Sequence, residues 1–211
     1  MTPTERIALA GLLKDQCQTG LRTVADRIKN GAIFVYPTET IYGLGGSSAV
    51  FGVKKRISEI KQRAAGNELI LIAPDRSFFS TIPLIMPLSA EALAAAFWPG
   101  RLTLVLPLRE AATSLAIRVT QHPFIEAIFR YLDAPLFSTS ANLSGKAYVN
   151  DPAIISGLFA GKVDFMIDAG PLPESLPSTV VKVGLNGTVQ VLREGAIEAR
   201  RIFEAAGQAV K

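Results

Sequence analysis

The strongest constraint on the fold is a repeated alternation between short apolar runs and amphipathic segments with helical spacing. Residues 21–28 place their apolar side chains on one helical face, and Asn30-Gly31 is a typical stop for a helix. The run 32–36 follows as a buried strand and is halted by Pro37. Such a chain builds a layered domain, because the apolar faces of helices and strands must be buried against one another.

The same alternation continues to the end of the chain. Helices are predicted over 50–60, 89–97, 124–132 and 197–206, and strands over 69–73, 102–106, 115–119, 136–138, 165–167, 179–183 and 188–192. Thr120 is expected to cap the third of these helices, and His122 to cap it or pack at its start. Asn186-Gly187 indicates an antiparallel hairpin between the last two strands. We therefore predict a single α/β domain over residues 1–211, with helices covering the faces of a mixed sheet.

Composition narrows the classes of function. The chain has 49% hydrophobic residues, one cysteine (Cys17) and one histidine (His122), which argues against disulfides, a zinc site and a Cys–His nucleophile. No apolar run reaches the roughly 18 residues of a membrane span, and residues 1–20 lack the apolar region of a signal peptide. We expect a cytoplasmic protein without membrane association. The excess of 22 Lys and Arg over 18 Asp and Glu favours anionic ligands such as nucleotides or RNA.

Glycine and hydroxyl side chains interrupt the pattern at 36–46, directly after the first predicted strand. Thr38 and Thr40 can donate or accept hydrogen bonds, and three glycines between positions 43 and 46 would let main-chain amides approach a ligand. The segment matches neither a Walker A loop nor a dinucleotide-binding fingerprint. It is therefore either a ligand-binding loop or a glycine-rich turn into a helix.

Polar side chains cluster in two further segments. In Lys61-Gln62-Arg63 both cations would point the same way if the segment were extended, which suits a polyphosphate; in a last helical turn they would complement the helix dipole. Residues 137–145 carry five hydroxyl or amide side chains, which suit phosphate oxygens, a ribose or an amino-acid head group. The alternative for 137–145 is a set of Ser/Thr turns and a helix N-cap.

An arginine, Arg118, lies inside the apolar strand predicted over 115–119. Arg118 either faces solvent or is buried, and a buried guanidinium needs an anionic partner. Ser178 opens a later strand, and Arg193 follows the last one. No Ser–His–Asp set, paired catalytic carboxylates or metal cage stands out, so chemistry based on fixed hydrogen bonds and cations would suit this chain. Transfer at a nucleotide phosphate is of that kind.

Taken in order, these stretches resemble the YrdC/TsaC family of L-threonylcarbamoyladenylate synthases. The matching segments are Tyr36 to Gly45, Lys61-Gln-Arg63, Trp98-Pro-Gly100, Ala116-Ile-Arg-Val119 with His122-Pro123, Ser138 to Gly145, Ser178-Thr-Val180 and Leu192-Arg193. Each is weak alone, but the ordered set is specific and covers about residues 20–195. The resemblance implies a short form without the extra C-terminal domain of longer relatives. It also implies a twisted α/β sheet with an open, basic concave surface.

The resemblance implies a reaction as well. L-Threonine and bicarbonate form N-carboxy-threonine, whose carboxylate attacks the α-phosphate of ATP and releases pyrophosphate. The product, threonylcarbamoyl-AMP, goes to partner proteins that modify an adenosine beside the anticodon of tRNA. The implied cofactors are ATP, as substrate, and Mg²⁺. The implied partners are L-threonine, bicarbonate, ATP and the downstream tRNA threonylcarbamoyl-transfer proteins.

The family's site residues carry over onto matching positions of this chain. The threonine pocket would comprise Thr38, Arg118, Ser138 and Ser178, with Arg118 on the substrate carboxylate. The catalytic residues around the phosphates would be Lys61, Arg63, Ser140 and Asn142. ATP would be bound by Lys61, Arg63, Ser114, Ser140, Tyr148 and Arg193. No residue is assigned to a metal.

Departures from the family pattern leave two alternatives open. Ala64 stands where the family has proline after Lys-x-Arg, and Arg101 stands where it has proline after Trp-Pro-Gly. These changes are consistent with a YciO-type paralogue that has little synthase activity. The basic composition would also suit a module that binds tRNA or double-stranded RNA, although no aromatic stacking platform accompanies the cations.

Overall fold

One mixed β-sheet runs through the molecule. The computed structural model describes residues 3–14, 18–62, 69–109 and 111–209. Within those ranges the strands are β1 (Arg6–Ala8), β2 (Phe34–Tyr36), β3 (Gly43–Ser47), β4 (Ile70–Ala73), β5 (Leu102–Leu108), β6 (Ala111–Val119), β7 (Leu136–Ser140), β8 (Phe165–Asp168), β9 (Thr179–Val183) and β10 (Val189–Arg193). Their order across the sheet is β1-β8-β2-β3-β7-β4-β6-β5-β9-β10. The sheet contains parallel pairs, such as β4 with β6, and antiparallel pairs, such as β3 with β7, which confirms the predicted mixed sheet.

Helices cover both faces of the sheet. In the same ranges they are α1 (Leu9–Lys14), α2 (Thr19–Lys29), α3 (Val53–Ile60), α4 (Leu88–Phe97), α5 (Pro123–Ile128), α6 (Pro152–Leu158) and α7 (Ala199–Ala205). Successive residues of a strand point to opposite faces. Phe34 and Tyr36 therefore join the larger core with α1, α2, α4, α5 and α7, while Val35 joins a smaller core with α3 and α6. None of the described helices combines the length and the hydropathy that crossing a membrane requires.

The glycine-rich segment that follows β2 forms a strand, so the predicted turn into a helix is wrong. β3 pairs with β2 on one side and β7 on the other, and Gly45 stands opposite both Phe34 and Ser138. A Cβ atom on Gly45 would lie 2.1 Å from the carbonyl oxygen of Phe137. Any side chain here would push β7 away, so the glycine is required by the close approach of two strands.

Other predicted elements agree with the structure except at particular ends and caps. The Asn186-Gly187 hairpin joins β9 and β10 as predicted. The helix at Pro123 is capped by His122, whose Nδ1 accepts a hydrogen bond from the main-chain N–H of Phe124. Thr120 is not the cap, because its hydroxyl donates to the carboxylate of Glu39 instead. The apolar pattern did not reveal the short elements β1, α1 and α6, which have too few residues to display a period.

Candidate active site

A pocket of about 80 Å³ opens where the polar segments of the sequence converge. Its walls come from the loop after β2, from β4, β6 and β7, and from residues at the entry to β9 and the end of β10. The six residues of the expected site that line this pocket are Thr38, Arg118, Ser138, Ser140, Ser178 and Arg193. Strand pairing explains their proximity, since β7, β4 and β6 are adjacent although they are far apart in sequence.

Arg118 is buried, at 7% exposure, and it has the anionic partner that its position requires. Its Nη2 lies 2.8 Å from Oε1 of Glu39 in an ion pair that lacks the alignment of a hydrogen bond. Nε donates to the carbonyl oxygen of Gly100 at 2.9 Å, and both terminal nitrogens reach Oγ1 of Thr40 at 3.3 Å. The other Glu39 oxygen accepts from Thr120. These contacts hold the guanidinium in one orientation, and Glu39 is a site residue that the sequence analysis missed.

Thr38 shapes the loop that carries Glu39. Its Oγ1 donates to the carbonyl oxygen of Ile41 at 2.7 Å and accepts from the main-chain N–H groups of Thr40 and Ile41 at 3.2 and 3.3 Å. The hydroxyls of Thr38 and Thr40 lie 3.0 Å apart. The Thr38 hydroxyl therefore holds the loop together through hydrogen bonds to its main chain. As a result Thr40 lies against Arg118, and Thr38 lies on the pocket wall.

Ser138 accepts a hydrogen bond from a tyrosine in the core. The hydroxyl of Tyr36 donates to Oγ of Ser138 at 2.7 Å, and the Tyr36 side chain is fully buried. Burial raises the pKa of Tyr36 far above its usual value, against smaller opposite effects of the Ser138 hydrogen bond and the Arg118 charge. The phenol therefore keeps its proton and remains a donor to Ser138.

Ser178 is held from two sides. Its Oγ lies 2.9 Å from Oγ1 of the buried Thr103, and Nη2 of Arg193 donates to the same Oγ at 3.2 Å. Arg193 also donates to the main-chain carbonyl of Ser178 at 2.8 and 3.2 Å. Arg193 thus brings a second cation to the pocket and fixes the segment that enters β9.

A second polar cluster, formed by Lys61, Ser140 and Asn142, adjoins the pocket through Ser140. Lys61 is 1% exposed, and its Nζ donates to the carbonyl oxygens of Ser140, at 2.6 Å, and Asn142. Nζ also donates to Oδ1 of Asn142 at 3.0 Å, which accepts from the Ser140 hydroxyl at 2.6 Å. Ser144 returns a hydrogen bond to the carbonyl oxygen of Lys61 at 2.7 Å. Lys61 therefore holds the main chain of the turn after β7.

Of the expected Lys61–Arg63 pair, the structure describes only Lys61. Lys61 has helical main-chain angles and Gln62 has φ 50° in the left-handed region, so the extended form considered for this segment is wrong over Lys61-Gln62. Arg63 lies outside the described residues.

Besides Lys61, two described residues expected to bind ATP do not line the pocket. Ser114 is half-buried on β6, four residues and about 13 Å along the strand from Arg118. Tyr148 is 42% exposed and lines a separate, open hollow with Asn150 and Leu176. Their roles toward the nucleotide remain predictions.

The donor set of the pocket suits anions better than cations. Among the described residues, no group of three or more His, Cys, Asp and Glu side chains could hold a metal ion. The carboxylate of Glu39 is occupied by Arg118 and Thr120. The hydroxyls and the two guanidinium groups that line the pocket instead match carboxylate and phosphate oxygens.

Comparison with known proteins supports the resemblance of the motifs. The sequence profile of the Sua5/YciO/YrdC family, described as telomere recombination, matches residues 26–195. A Pyrococcus abyssi protein named threonylcarbamoyl-AMP synthase is 32% identical over an alignment 196 positions long, which covers 89% of this chain and 57% of the relative. The chain therefore spans little more than half the length of that relative.

Solved structures agree with the sequence match. P. abyssi Sua5 complexed with L-threonine superposes with a TM-score of 0.82 at 29% identity, over 99% of this chain and 61% of Sua5. E. coli YciO superposes with a TM-score of 0.81 at 25% identity, over 96% of this chain and all of YciO. These matches confirm the twisted α/β fold expected from the motifs. Since the profile match extends over 26–195, the chain belongs to the Sua5/YciO/YrdC family.

Proposed function

We propose that the chain is an L-threonylcarbamoyladenylate synthase, which converts L-threonine, bicarbonate and ATP to threonylcarbamoyl-AMP and pyrophosphate. The observation that carries this proposal is the convergence of Arg118, Ser138 and Ser178 on one small pocket beside the cluster of Lys61, Ser140 and Asn142. An amino-acid carboxylate and a polyphosphate are both anions that such a donor set would bind. The names of the family relatives support the same reading.

The amino acid would bind between the strands. Arg118 would pair with its carboxylate, because the guanidinium is oriented and one of its terminal nitrogens, Nη1, makes a single hydrogen bond among the described residues, to Oγ1 of Thr40 at 3.3 Å. Thr38, Ser138 and Ser178 would bind the remaining polar groups from the pocket wall. Ile70 offers apolar surface in the same wall, which suits the methyl group of threonine.

The chemistry needs positioning more than proton transfer. The amine of threonine and bicarbonate form a carbamate with loss of water. A carbamate oxygen then attacks the α-phosphorus of ATP, and the bond from that phosphorus to the β-phosphate oxygen breaks to release pyrophosphate. The carbamate is already an anion, so the step requires no strong general base. The main obstacle is the crowding of negative charge, which fixed cations and hydrogen-bond donors reduce.

The phosphates would contact Ser140 and Arg193, which both line the pocket, with ATP arriving as its Mg²⁺ complex. Asn142 and Lys61 would hold the turn that presents Ser140. Arg63, Ser114 and Tyr148 remain proposed contacts of the nucleotide. The product would pass to tRNA threonylcarbamoyl-transfer proteins in the cytoplasm.

Pyrophosphate release tests the proposal directly. Release should require L-threonine, bicarbonate and MgATP together, and mass spectrometry should detect threonylcarbamoyl-AMP. Arg118→Met should abolish threonine-dependent release, whereas Arg101→Met, an exposed arginine outside the pocket lining, should leave it near the wild-type rate. Release that is independent of threonine would contradict the assigned reaction.

The match over the whole length of E. coli YciO favours a second candidate, a family member with little synthase activity. Such a protein would bind L-threonine and nucleotide in calorimetry but release no pyrophosphate. An RNA-binding module would instead bind duplex RNA with an affinity that falls by a logarithmic slope of about 0.9 per neutralised phosphate as salt rises, and would ignore threonine.

A further inference from the structure

Tyr36 touches the pocket wall from inside the core, and the proposed chemistry makes no use of it. Its ring packs against Phe34 and Phe124, with ring centroids 4.9 and 6.1 Å away. On the strand side, a Cβ atom on Gly43 or Gly45 would come within 3.1 Å of the ring. The two glycines therefore make room for the ring against β3, and the fully buried ring is packed on both sides beside Ser138.

The hydrogen atoms of this pair can be counted. The Tyr36 phenol has one hydrogen, which it donates to Oγ of Ser138 at 2.7 Å. Ser138 keeps its own hydroxyl hydrogen, and among the described residues no acceptor receives it. Because the side of Oγ toward Tyr36 is occupied by the incoming hydrogen, the serine hydrogen is directed elsewhere, and the free volume next to Ser138 is the pocket.

We infer that Tyr36 is a positioning residue, which fixes the Ser138 hydroxyl as a hydrogen-bond donor to an acceptor oxygen of the amino-acid substrate. The inference rests on the proposed function, in which that substrate is L-threonine. Without the phenol, the Ser138 hydroxyl could rotate and accept as readily as it donates. Because Tyr36 fixes the direction of the Ser138 hydroxyl before the ligand binds, less conformational entropy is lost on binding.

A double-mutant cycle tests this role by calorimetric titration of L-threonine. Tyr36→Phe should weaken binding about 3- to 10-fold, and Ser138→Ala about 10-fold or more, because a hydrogen bond to a charged group is lost. The double variant should bind within about twofold of Ser138→Ala, since Tyr36 acts only through Ser138. Tyr131→Phe is the matched control; it removes a phenol that donates to Gln18 outside the pocket, and it should bind like the wild type.

The outcomes separate this inference from the proposed function. A wild-type protein that does not bind L-threonine contradicts the proposed function. A wild-type protein that binds, with a Tyr36→Phe variant of equal affinity or with fully additive losses in the double variant, overturns the role of Tyr36. Additive losses would indicate that Tyr36→Phe weakens L-threonine binding by loosening the packing of the core and not through Ser138.

A second pair keeps the test valid if Tyr36→Phe does not fold. Ser138→Thr retains a hydroxyl for Tyr36 and for the ligand, whereas Ser138→Val has the same shape without it. The threonine variant should bind L-threonine at least about fivefold more tightly than the valine variant. Equal affinities would overturn the inference.

Discussion

The two ends of the candidate site are built in different ways. At the proposed amino-acid end, side chains from separate parts of the fold hold one another: Tyr36 on β2 contacts Ser138 on β7 across β3, and Glu39 in the loop after β2 contacts Arg118 on β6. At the phosphate end, one lysine, Lys61, holds main-chain carbonyl groups of the turn after β7. This difference predicts how each end responds to the loss of a side chain. Strand pairing keeps the frame of the first end when one side chain is lost, whereas at the second end one ammonium group holds two main-chain carbonyl groups, one at the last paired residue of β7 and one beyond it.

Among the changes that test this comparison, Lys61→Met should have the largest effect, which is on the rate of pyrophosphate release. The methionine cannot donate, so it leaves buried carbonyl oxygens without their partner, at a cost on the order of 1–3 kcal/mol, and releases the turn that carries Ser140. Pyrophosphate release should fall about 10²- to 10³-fold, by analogy with other preorganised donors. L-Threonine affinity should change less than about threefold. The exposed Lys55→Met is the control and should retain activity. Loss of threonine binding in step with activity would contradict the separation of the two ends.

Glu39→Gln should have the next largest effect, this time on stability at the amino-acid end. The change leaves the buried Arg118 cation without its ion-pair partner, which should lower the free energy of unfolding of the ligand-free protein by about 3 kcal/mol. Saturating L-threonine should raise the melting temperature of the variant more than that of the wild type, since its carboxylate supplies the missing charge. Glu126→Gln, on an exposed position of α5, serves as the control. An unchanged melting temperature would show that Glu39 does not stabilise Arg118.

A pH series should reveal the smallest effect, at the helix cap His122, whose charge interacts with that of Glu39. Burial lowers the pKa of His122 below 6.5, although Glu39 and Glu126 act in the opposite direction. The folded state thus favours the neutral ring, whose Nδ1 accepts from the Phe124 N–H. This contribution is complete above pH 6.5 and is lost as the pH falls below it, and a cap is worth about 1 kcal/mol.

His122→Asn isolates this contribution, because asparagine caps helices without titrating. Melting temperatures measured between pH 7.5 and pH 5 should fall less steeply for the variant than for the wild type. Parallel curves for the two proteins would contradict the role given to His122.

Much of the fold could be predicted because its signals are local. The helical face at Leu21, the strand that stops at Pro37 and the Asn186-Gly187 hairpin depend on neighbours in sequence, and the structure confirms each of them. The strand at Gly43–Ser47 was missed for a non-local reason. Its glycines are required by the Tyr36 ring and the Phe137 carbonyl, which the sequence does not place next to it.

The site shows the same division. Motif order indicated the family and the residues Thr38, Arg118, Ser138, Ser140, Ser178 and Arg193, which all line one pocket. It did not indicate Glu39, because glutamate in a loop gives no sign of a partner 79 positions later in the chain. Lys61 was expected at the phosphates, and its contact with the carbonyl groups of Ser140 and Asn142 depends on main-chain geometry.

By itself, the sequence determined the alternation of helices and strands, the family, and the kinds of side chain that the site contains. The tertiary structure alone decided which of those side chains meet, because strand order brings β7, β4 and β6 together across long stretches of chain. It also decided what each polar group does. A hydroxyl becomes a donor, a carboxylate a counter-ion and an ammonium group a link between main-chain carbonyls only when burial removes water and the surrounding fold supplies the partners.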